Sequence, residues 1–271
     1  MSEHLQNKTI QDFGDQWGRY RDNSGFYASS ELFADMLGPL LSPDKLRNKI
    51  VADIGSGSGR IVQMILAAGA EKVYAVEPSL EAFETLKRNT VDVQSQIEYL
   101  NIPGDALEQG LNLDYVVSIG VIHHIPQPEA TITACLEALK PGGQFLIWLY
   151  GKEGNETYLK FIEPLRNLTV KLPHVVLAGL THLMNVMLGI YILLCRAIPL
   201  PMRGYMLNVI GKMSWTKRYL VIYDQLNPAY AKYYTQQEAL DLLLNAGFVN
   251  VETHHRHGYS WTVLGTHPVN K

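Results

Sequence analysis

The stretch Val51-Ala52-Asp53-Ile54-Gly55-Ser56-Gly57-Ser58-Gly59-Arg60 decides the fold of this chain. It joins a β-branched run, Lys49–Ile54, to residues Arg60–Ala68, whose apolar side chains recur at helical spacing. Glycines between a strand and a helix let the backbone turn tightly and approach a ligand, and the helix N-terminus offers unpaired N–H groups. The stretch therefore predicts a strand, a ligand-binding turn and a helix, although such a glycine pattern also occurs in turns that hold no ligand.

Strand and helix signals alternate after this turn. Further strands are predicted at Lys72–Val76, Ile97–Leu100, Leu113–Ile119 and Gln144–Tyr150, with helices at Leu80–Asn89 and Glu129–Leu139. This alternation predicts βαβ units and a parallel sheet. Near the end of the chain, Thr235–Glu238 has the pattern of a capping box that opens a helix, and two more strands are predicted at Val249–His255 and Tyr259–Leu264.

Composition limits the class of protein. Hydrophobic residues make up 47% and charged residues 18% of the 271 residues, with a net charge of −3, which is typical of a globular enzyme and does not indicate nucleic acid as a partner. Cys135 and Cys195 each stand alone in an apolar run, which favours a reducing compartment. The polar N-terminal stretch lacks a signal-peptide pattern, so we expect a cytoplasmic protein. No metal site is predicted, because His254 and His255 point to opposite faces of a strand.

Polar and small residues follow the other predicted strands at the same edge of the sheet. Glu77 ends the second strand, where a carboxylate can accept both hydroxyls of a ribose. Gly104-Asp105-Ala106 follows the third strand, where a carboxylate can meet an adenine amino group, and Gly120 ends the fourth. With the glycine turn, these residues predict one nucleoside pocket. A nucleotide-dependent oxidoreductase, or a binding subunit without catalytic activity, would use the same features.

Residues 49–151 resemble the class I S-adenosylmethionine-dependent methyltransferases, in the small-molecule branch that includes ubiquinone and sugar methyltransferases. The resemblance rests on the motifs VADIGSGSGR, VYAVEPS, GDA, LDYVVSIGVIHHI and LKPGGQFLIWLYG. It implies an α/β fold with a Rossmann-like seven-stranded sheet, the last strand antiparallel, helices on both faces and a largely helical insertion after the fifth strand. It also implies S-adenosyl-L-methionine as the cofactor.

The same resemblance implies roles for individual residues. The acid matching Asp53 lies near the methionine amino group, and the residue matching Glu77 binds the ribose. The residues matching Asp105 and Ala106 flank the adenine. The predicted cofactor-binding set also contains Gly55, Ser56, Gly57, Gly59, Pro78 and Gly120.

Two histidines, His123 and His124, follow the fourth predicted strand, beside the expected position of the methyl group. Methyl transfer from a sulfonium is an in-line displacement, and a base is needed only if the nucleophile must lose a proton. The resemblance to phosphoethanolamine methyltransferases implies a catalytic pair of His124 with a tyrosine of the N-terminal helix, for which Tyr20 is the candidate. The alternative is that the histidines pack the start of the next helix. The chain lacks the N/D-P-P-Y motif that is typical of amino-methylation of nucleic-acid bases or protein glutamine.

The predicted organisation has four segments. An N-terminal helical lid occupies 1–45, the cofactor-binding core 46–151, an apolar and basic helical insertion 152–233, and a C-terminal helix with two strands 234–271. The insertion follows the fifth strand at its carboxyl end, so it must rise over the active site. Contacts with the methyl acceptor are predicted for His123, Tyr150, Asp224, Tyr230, Arg256 and His257. The alternative for these tyrosines and turn residues is a bridging or solvated role.

The insertion is unusually apolar and basic. Leu172–Cys195 contains no Asp, Glu, Lys or Arg, and this uncharged run is long enough to suggest a transmembrane helix. A single span is excluded, since the chain before and after it belongs to one predicted sheet. Residues 160–218 contain eight basic residues and one acid, Glu163, so their net charge is +7. Because the whole chain carries −3, the remaining residues carry a net charge of −10. The basic residues are Lys160, Arg166, Lys171, Arg196, Arg203, Lys212, Lys217 and Arg218.

Three roles for the insertion remain open from the sequence. It can be a buried lid over a water-soluble acceptor, a homodimer interface, or a surface that lies on an anionic membrane. Its positive charge fits a lipid-linked or phosphate-bearing acceptor, or peripheral attachment at the inner face of a membrane. The alternative is that the basic groups are merely solvated.

Overall fold

A seven-stranded sheet forms the centre of the computed structural model, which describes residues 2–170 and 172–269. Its strands are β1 (Ile50–Ile54), β2 (Lys72–Val76), β3 (Ile97–Leu100), β4 (Leu113–Ile119), β5 (Leu139–Tyr150), β6 (Val249–Arg256) and β7 (Ser260–Thr266). They lie in the order β3-β2-β1-β4-β5-β7-β6. The pairs among β1 to β5 are parallel, and β7 is antiparallel to both of its neighbours. The predicted Rossmann-like methyltransferase sheet is confirmed.

Ten α-helices accompany the sheet in the described part of the chain. They are α1 (Ser2–Arg19), α2 (Ser30–Leu37), α3 (Arg60–Ala67), α4 (Leu80–Asn89), α5 (Glu129–Ala138), α6 (Glu156–Thr169), α7 (His174–Ala197), α8 (Arg203–Asn208), α9 (Trp215–Leu226) and α10 (Gln236–Leu244). Alternate residues of β1 divide the core, because Val51 packs with α2, α3 and α4 on one face while Ala52 packs with α5 and α10 on the other. The sheet is therefore covered on both faces.

Local chemistry explains most element boundaries. The Ser79 hydroxyl accepts the N–H of Ala82 and begins α4, and Thr235 forms the predicted capping box with Glu238 at α10. The fifth strand begins at Leu139, five residues earlier than predicted. Its pairing with β4 carries an irregularity across the Pro-Gly-Gly segment, and this bulge keeps the segment within the strand.

The N-terminal helix α1 lies between the cofactor-binding core and the insertion. Gly14 contacts Ser79 so closely that a Cβ at this position would collide with the serine hydroxyl. On the other side, Gln16 donates to Asp224 at 3.0 Å and Asn227 donates to the carbonyl of Asp12 at 3.0 Å. Residues of the cofactor-binding core and of the insertion thus hold α1 in place from two sides.

The insertion forms α6 to α9, and α7 lies on its outer side. One stripe of α7 is buried, including Thr181 and Asn185, and the Asn185 amide donates to the carbonyl of Trp215 at 2.9 Å on α9. Among the described residues, α7 is the one helix long and apolar enough to cross a membrane on length and composition alone. Only 22% of its apolar window is buried, so the interpretation of this run as a fully buried lid is wrong within a single chain.

Candidate active site

A cavity of about 490 Å³ lies at the carboxyl ends of the parallel strands. One wall is the turn between β1 and α3, and the opposite wall comes from α7, α8 and α9. The N-terminal helix contributes Phe13 and Trp17 between these walls. The cavity therefore joins the glycine turn to the insertion, as expected for a site with two compartments.

Glycine is required at the turn by backbone geometry. Gly55, Gly57 and Gly59 have φ angles of 76°, 53° and 84°, a region that side chains with a Cβ rarely adopt. A Cβ at Gly57 would lie 3.1 Å from the indole nitrogen of Trp17, which covers the turn from α1. The N–H groups of Gly55 and Ser56 both donate to the carbonyl of Val76, which ties the turn to the end of β2.

Glu77 fixes the turn as well as facing the cavity. Its Oε2 accepts the N–H of Gly57 at 2.8 Å, and its Oε1 accepts the N–H of Ser79 at 2.9 Å. Each carboxylate oxygen keeps a further lone pair for a ribose hydroxyl. Burial raises the pKa of Glu77 to about 7, although the two backbone N–H donors act in the opposite direction by stabilising the carboxylate. The sequence predicted only the ligand contact and missed the role in holding the turn.

Asp53 ends in a carboxylate oxygen, Oδ2, that is buried and has no hydrogen-bond partner among the described residues. The side chain is 1% exposed, and this burial raises its pKa to about 7. Buried polar groups are almost always satisfied, so the free oxygen can accept a hydrogen bond from a donor group of a ligand, although Asp53 itself is not among the residues that line the cavity. The ammonium group of S-adenosylmethionine fits this requirement.

The remaining predicted cofactor residues divide into two groups. Pro78 and Gly120 line the cavity together with Gly104. Asp105 and Ala106 are exposed and lie just outside the lining residues. Their contact with the adenine stays a prediction, because neither residue lines the cavity.

His124 lines the cavity and is held in one tautomer. Its Nδ1 lies 2.8 Å from the carbonyl oxygen of Tyr230, which can only accept, so Nδ1 carries the proton. Nε2 then presents a lone pair, and it is buried without a partner in the described structure. Burial lowers the pKa of His124 to about 4, which keeps the ring neutral near pH 7.

The expected pair of His124 with Tyr20 is not formed. The Tyr20 hydroxyl bonds to the hydroxyl of Tyr219 at 2.9 Å, and Tyr20 is not among the residues that line the cavity. The N–H of Tyr20 still donates to the carbonyl of Gln16 at 2.8 Å and continues the helix, but the Tyr20 ring packs against α9, with its centroid 5.6 Å from Tyr219 and 5.4 Å from Tyr223. Phe13 takes the place beside the histidine, with its ring centroid 4.7 Å from that of His124.

A hydrogen-bonded network brings Tyr150 and Asp224 together at the acceptor side of the cavity. The Tyr150 hydroxyl donates to Asp224 at 3.1 Å, and Gln225 donates to the same hydroxyl at 2.6 Å. All three side chains line the cavity. His123 is fully buried and stacks on the Tyr150 ring at 3.8 Å, so it supports the network from behind and does not line the cavity.

Arg166 extends this network and was missed as a site residue. It is buried, donates to the carbonyl of Gln225 at 2.8 Å and to the hydroxyl of Tyr233 at 3.0 Å, and has no ion-pair partner among the described residues. In the sequence, Arg166 was only one of the eight basic residues counted in the insertion. Nothing local distinguished it, because its partners lie 59 and 67 residues further along the chain.

Arg256 and His257, which were predicted to contact the acceptor, both bond to Asp35 of α2. Arg256 is buried, donates through Nε to the Asp35 carboxylate at 2.9 Å and also bonds to Tyr259. His257 lies 2.8 Å from the same carboxylate and is exposed. Arg256 reaches the cavity wall but His257 does not. Tyr230 contributes its backbone carbonyl to His124, and its side chain is not part of the lining.

Two further predictions were about charge and metals. In residues 2–170 and 172–269, no group of three or more His, Cys, Asp or Glu side chains is placed to hold a metal ion. Lys217 is buried and pairs with Asp22 at 3.0 Å, so it does not contribute to a basic outer surface. Lys171, which was counted in that basic set, lies outside the described residues.

Comparison with known proteins agrees with this geometry. Residues 52–145 match a family model described as a methyltransferase domain. A ubiquinone biosynthesis O-methyltransferase from Nitrosospira multiformis is 27% identical over 164 residues, covering 52% of this chain and 68% of that protein. A tRNA U34 carboxymethyltransferase from Shewanella amazonensis is 30% identical over 151 residues, covering 49% of this chain and 45% of that protein. Magnesium protoporphyrin IX methyltransferase from Synechocystis PCC 6803, with bound SAH, has a TM-score of 0.56 at 14% identity and covers 98% of each chain.

The sequence match is confined to part of each molecule. It spans about half to two thirds of the length of these curated relatives, and the whole insertion, residues 152–233, lies outside the matched family model. The sheet order, the glycine turn held by Glu77 and the family match together define the class. The chain contains a methyltransferase domain of the class I, S-adenosylmethionine-dependent type, for which S-adenosylmethionine is the cofactor. The oxidoreductase alternative is thereby set aside.

Proposed function

We propose that this enzyme methylates a small-molecule acceptor that has an apolar body and a polar reacting end. The observation that carries the proposal is the division of the cavity into two compartments. The glycine turn and Glu77 form one end, whereas the insertion lines the other with apolar side chains that include Met184, Leu188, Met202, Met206 and Met213. Flexible thioether side chains adapt to an apolar ligand.

The cofactor compartment acts by binding and orientation. Glu77 and the N–H groups of the turn can hold the ribose, and the unpartnered Oδ2 of Asp53 can hold the ammonium group. Bound S-adenosylmethionine supplies an electrophilic methyl group on a sulfonium. Alignment of the acceptor with that group supplies much of the rate, and it depends on how firmly α1 and the turn are held.

The acceptor's polar end would meet His124 and the Tyr150–Asp224 network. Nε2 of His124 offers a lone pair to a hydroxyl or amine, while Asp224 raises the pKa of that imidazole against the effect of burial. A neutral imidazole in this position can orient the nucleophile and accept its proton as the methyl group is transferred. This is the role that we assign to His124.

The apolar compartment favours a lipid-linked acceptor over a free sugar. A quinone-type molecule with an isoprenoid tail would bury its tail against the methionine wall, and among the relatives are ubiquinone biosynthesis O-methyltransferases. Such acceptors reside in membranes. We therefore place the enzyme in the cytoplasm, peripherally at the inner face of a membrane, with the outer face of α7 toward the lipid. A twin subunit covering α7 is the alternative.

Two measurements test the proposed function. Calorimetry with S-adenosylhomocysteine and NAD should show binding of the first and none of the second. Purified enzyme with S-adenosylmethionine should then be supplied with quinone precursors, lipid-linked sugars, sugar nucleotides and tRNA, and the products analysed by mass spectrometry. Methylation of an apolar acceptor supports the proposal. Methylation of tRNA alone, or of sugar nucleotides alone, would overturn it.

A further inference from the structure

A second depression, separate from the active site, lies on the outer surface between α7 and α9. Its walls include the apolar side chains of Val186, Ile190 and Leu193, together with Arg196, Trp215 and Arg218. None of the residues that line it is acidic. We call this depression the outer groove. Its chemistry combines two guanidinium groups with an apolar wall.

Arg218 has unused hydrogen-bonding capacity in the outer groove. Its Nε is buried and lacks a partner in the described structure, and the guanidinium lies 5.6 Å from the Trp215 ring centroid. No ion pair of Arg218 is formed among the described residues. On α7, a Cβ added at Gly189 would lie 4.0 Å from Nη1 of Arg218, an ordinary van der Waals contact. Glycine at this position leaves room beside the charge.

Three other basic residues of the insertion are already engaged. Lys212 pairs with Glu31 at 2.5 Å, Lys217 pairs with Asp22, and Arg166 is buried in the network behind the active site. Arg196 is exposed at the rim of the outer groove. Arg196 and Arg218 are therefore the pair that the fold gathers into one depression without an acid.

The surface around the outer groove is apolar. On α7, Leu183, Met187, Ile190 and Leu193 are 59%, 62%, 55% and 59% exposed, and they continue the helix face on which the groove opens. Trp215 is 43% exposed at its edge. Apolar side chains of this number on one helix face mark an interaction surface, and tryptophan favours the boundary between lipid and water.

We propose that the outer groove binds the phosphate of an anionic phospholipid and seats the face of α7 in the plane of a bilayer. Arginine suits this ligand because its planar guanidinium can donate two hydrogen bonds to one phosphate. The apolar wall beside it would contact the acyl chains. The site rests on the membrane location proposed above.

Charge complementarity favours a bilayer over the other occupants. A soluble phosphate would satisfy the arginines and leave the apolar face in water. A second copy of the chain would bring the same face, which has no acidic residue between Leu172 and Cys195, so its arginines would stay unpaired. An anionic bilayer satisfies both the charged and the apolar groups.

Vesicle binding tests the site directly. The protein is mixed with phosphatidylcholine vesicles, with or without added phosphatidylglycerol, and bound protein is measured by sedimentation. We expect binding to the anionic vesicles, and the double variant Arg196→Gln/Arg218→Gln should reduce it by about 10–30-fold, as for two lost basic contacts. The matched control Lys87→Gln/Arg88→Gln removes two exposed charges from α4 and should bind as the native protein does.

Brominated lipids and soluble phosphate distinguish the sources of the ligand. Bromine in the acyl chains should quench part of the tryptophan fluorescence, and Trp215→Phe should remove that part. Equal vesicle binding by the double variant and the native protein would overturn the proposal. So would phosphate or glycerophosphate binding to the groove without vesicle binding, or a dimer in solution that Met187→Ser dissociates. S-adenosylhomocysteine binding, measured on every variant, shows separately whether the methyltransferase assignment holds.

Discussion

The carboxylate of Glu77 accepts the backbone N–H of Gly57 at 2.8 Å, so the acid at the end of β2 holds the glycine turn at the end of β1. The same carboxylate accepts the N–H of Ser79 and thereby also fixes the start of α4. The two neighbouring strand ends are joined through one side chain. The geometry of the cofactor compartment therefore depends on Glu77 before any ligand binds.

Replacing Gly57 by valine should abolish S-adenosylhomocysteine binding. The residue has φ of 53°, and its Cβ would lie 3.1 Å from the Trp17 indole, so the variant strains the backbone and fills the space over the turn. Calorimetry measures the affinity, and circular dichroism checks the fold. Gly110→Ala is the matched control, because Gly110 also has positive φ but has open space around it. Native affinity in folded Gly57→Val would contradict the assignment of the turn.

Replacing Glu77 by alanine should weaken S-adenosylhomocysteine by about 1–3 kcal/mol, the value of hydrogen bonds to a charged group. The variant removes the predicted ribose contact and also releases the N–H groups of Gly57 and Ser79. Glu77→Gln keeps the shape and one acceptor oxygen, so its loss should be smaller. If both variants bound the ligand as the native enzyme does, the role of Glu77 in the pocket would be refuted.

Cofactor affinity should fall as the pH drops through about 7. Burial raises the pKa of both Asp53 and Glu77 to about 7, so each is progressively protonated below that pH. A protonated Asp53 no longer attracts the ammonium group, which weakens binding on the acidic side. Titration of S-adenosylhomocysteine binding between pH 6 and pH 8, at roughly constant ionic strength, measures this. Asp53→Asn should bind weakly with a flatter profile, and an unchanged slope in this variant would show that another group titrates.

The predictable part of the fold was the part encoded by local patterns. One continuous stretch of sequence predicts strand β1, the turn and α3. The four-residue capping box that begins at Thr235 predicts the start of α10. The assembly of the cofactor compartment also followed, since parallel strands bring their carboxyl ends to one edge. For this reason, the position of Glu77 at the cavity was predicted correctly.

Contacts between distant parts of the chain could not be predicted. Arg256 and Asp35 are 221 residues apart, and neither has a local signal that names the other. The count of basic residues assigned all eight charges to one cationic surface of the insertion, yet Arg166 and Lys217 are buried. The Tyr20 prediction failed because its actual partners, Tyr219 and Tyr223, lie on α9 in a distant part of the chain.

Replacing His124 by alanine should lower kcat by roughly two to four orders of magnitude, the range for general acid–base catalysis, with near-native cofactor affinity. Its pKa of about 4 means that the imidazole stays neutral from pH 6 to pH 8, so its own titration should not shape the rate in that range. Tyr20→Phe is the matched test of the rejected pair and should keep most activity, since its hydroxyl bonds to Tyr219. Full turnover in His124→Ala would make the histidine structural.

The buried Lys217 should matter for stability, whereas Lys212 should not. Lys217 is 3% exposed, pairs with Asp22 and lies 5.0 Å from the Tyr27 ring centroid, so Lys217→Gln should cost about 1.5–3 kcal/mol, as for a hydrogen bond to a charged group. Lys212 forms an exposed pair with Glu31, and Lys212→Gln should cost about 0–1 kcal/mol. Urea denaturation of the two variants measures both values at the same change in net charge. Equal stability would mean that the Lys217 contacts are replaced by water without loss.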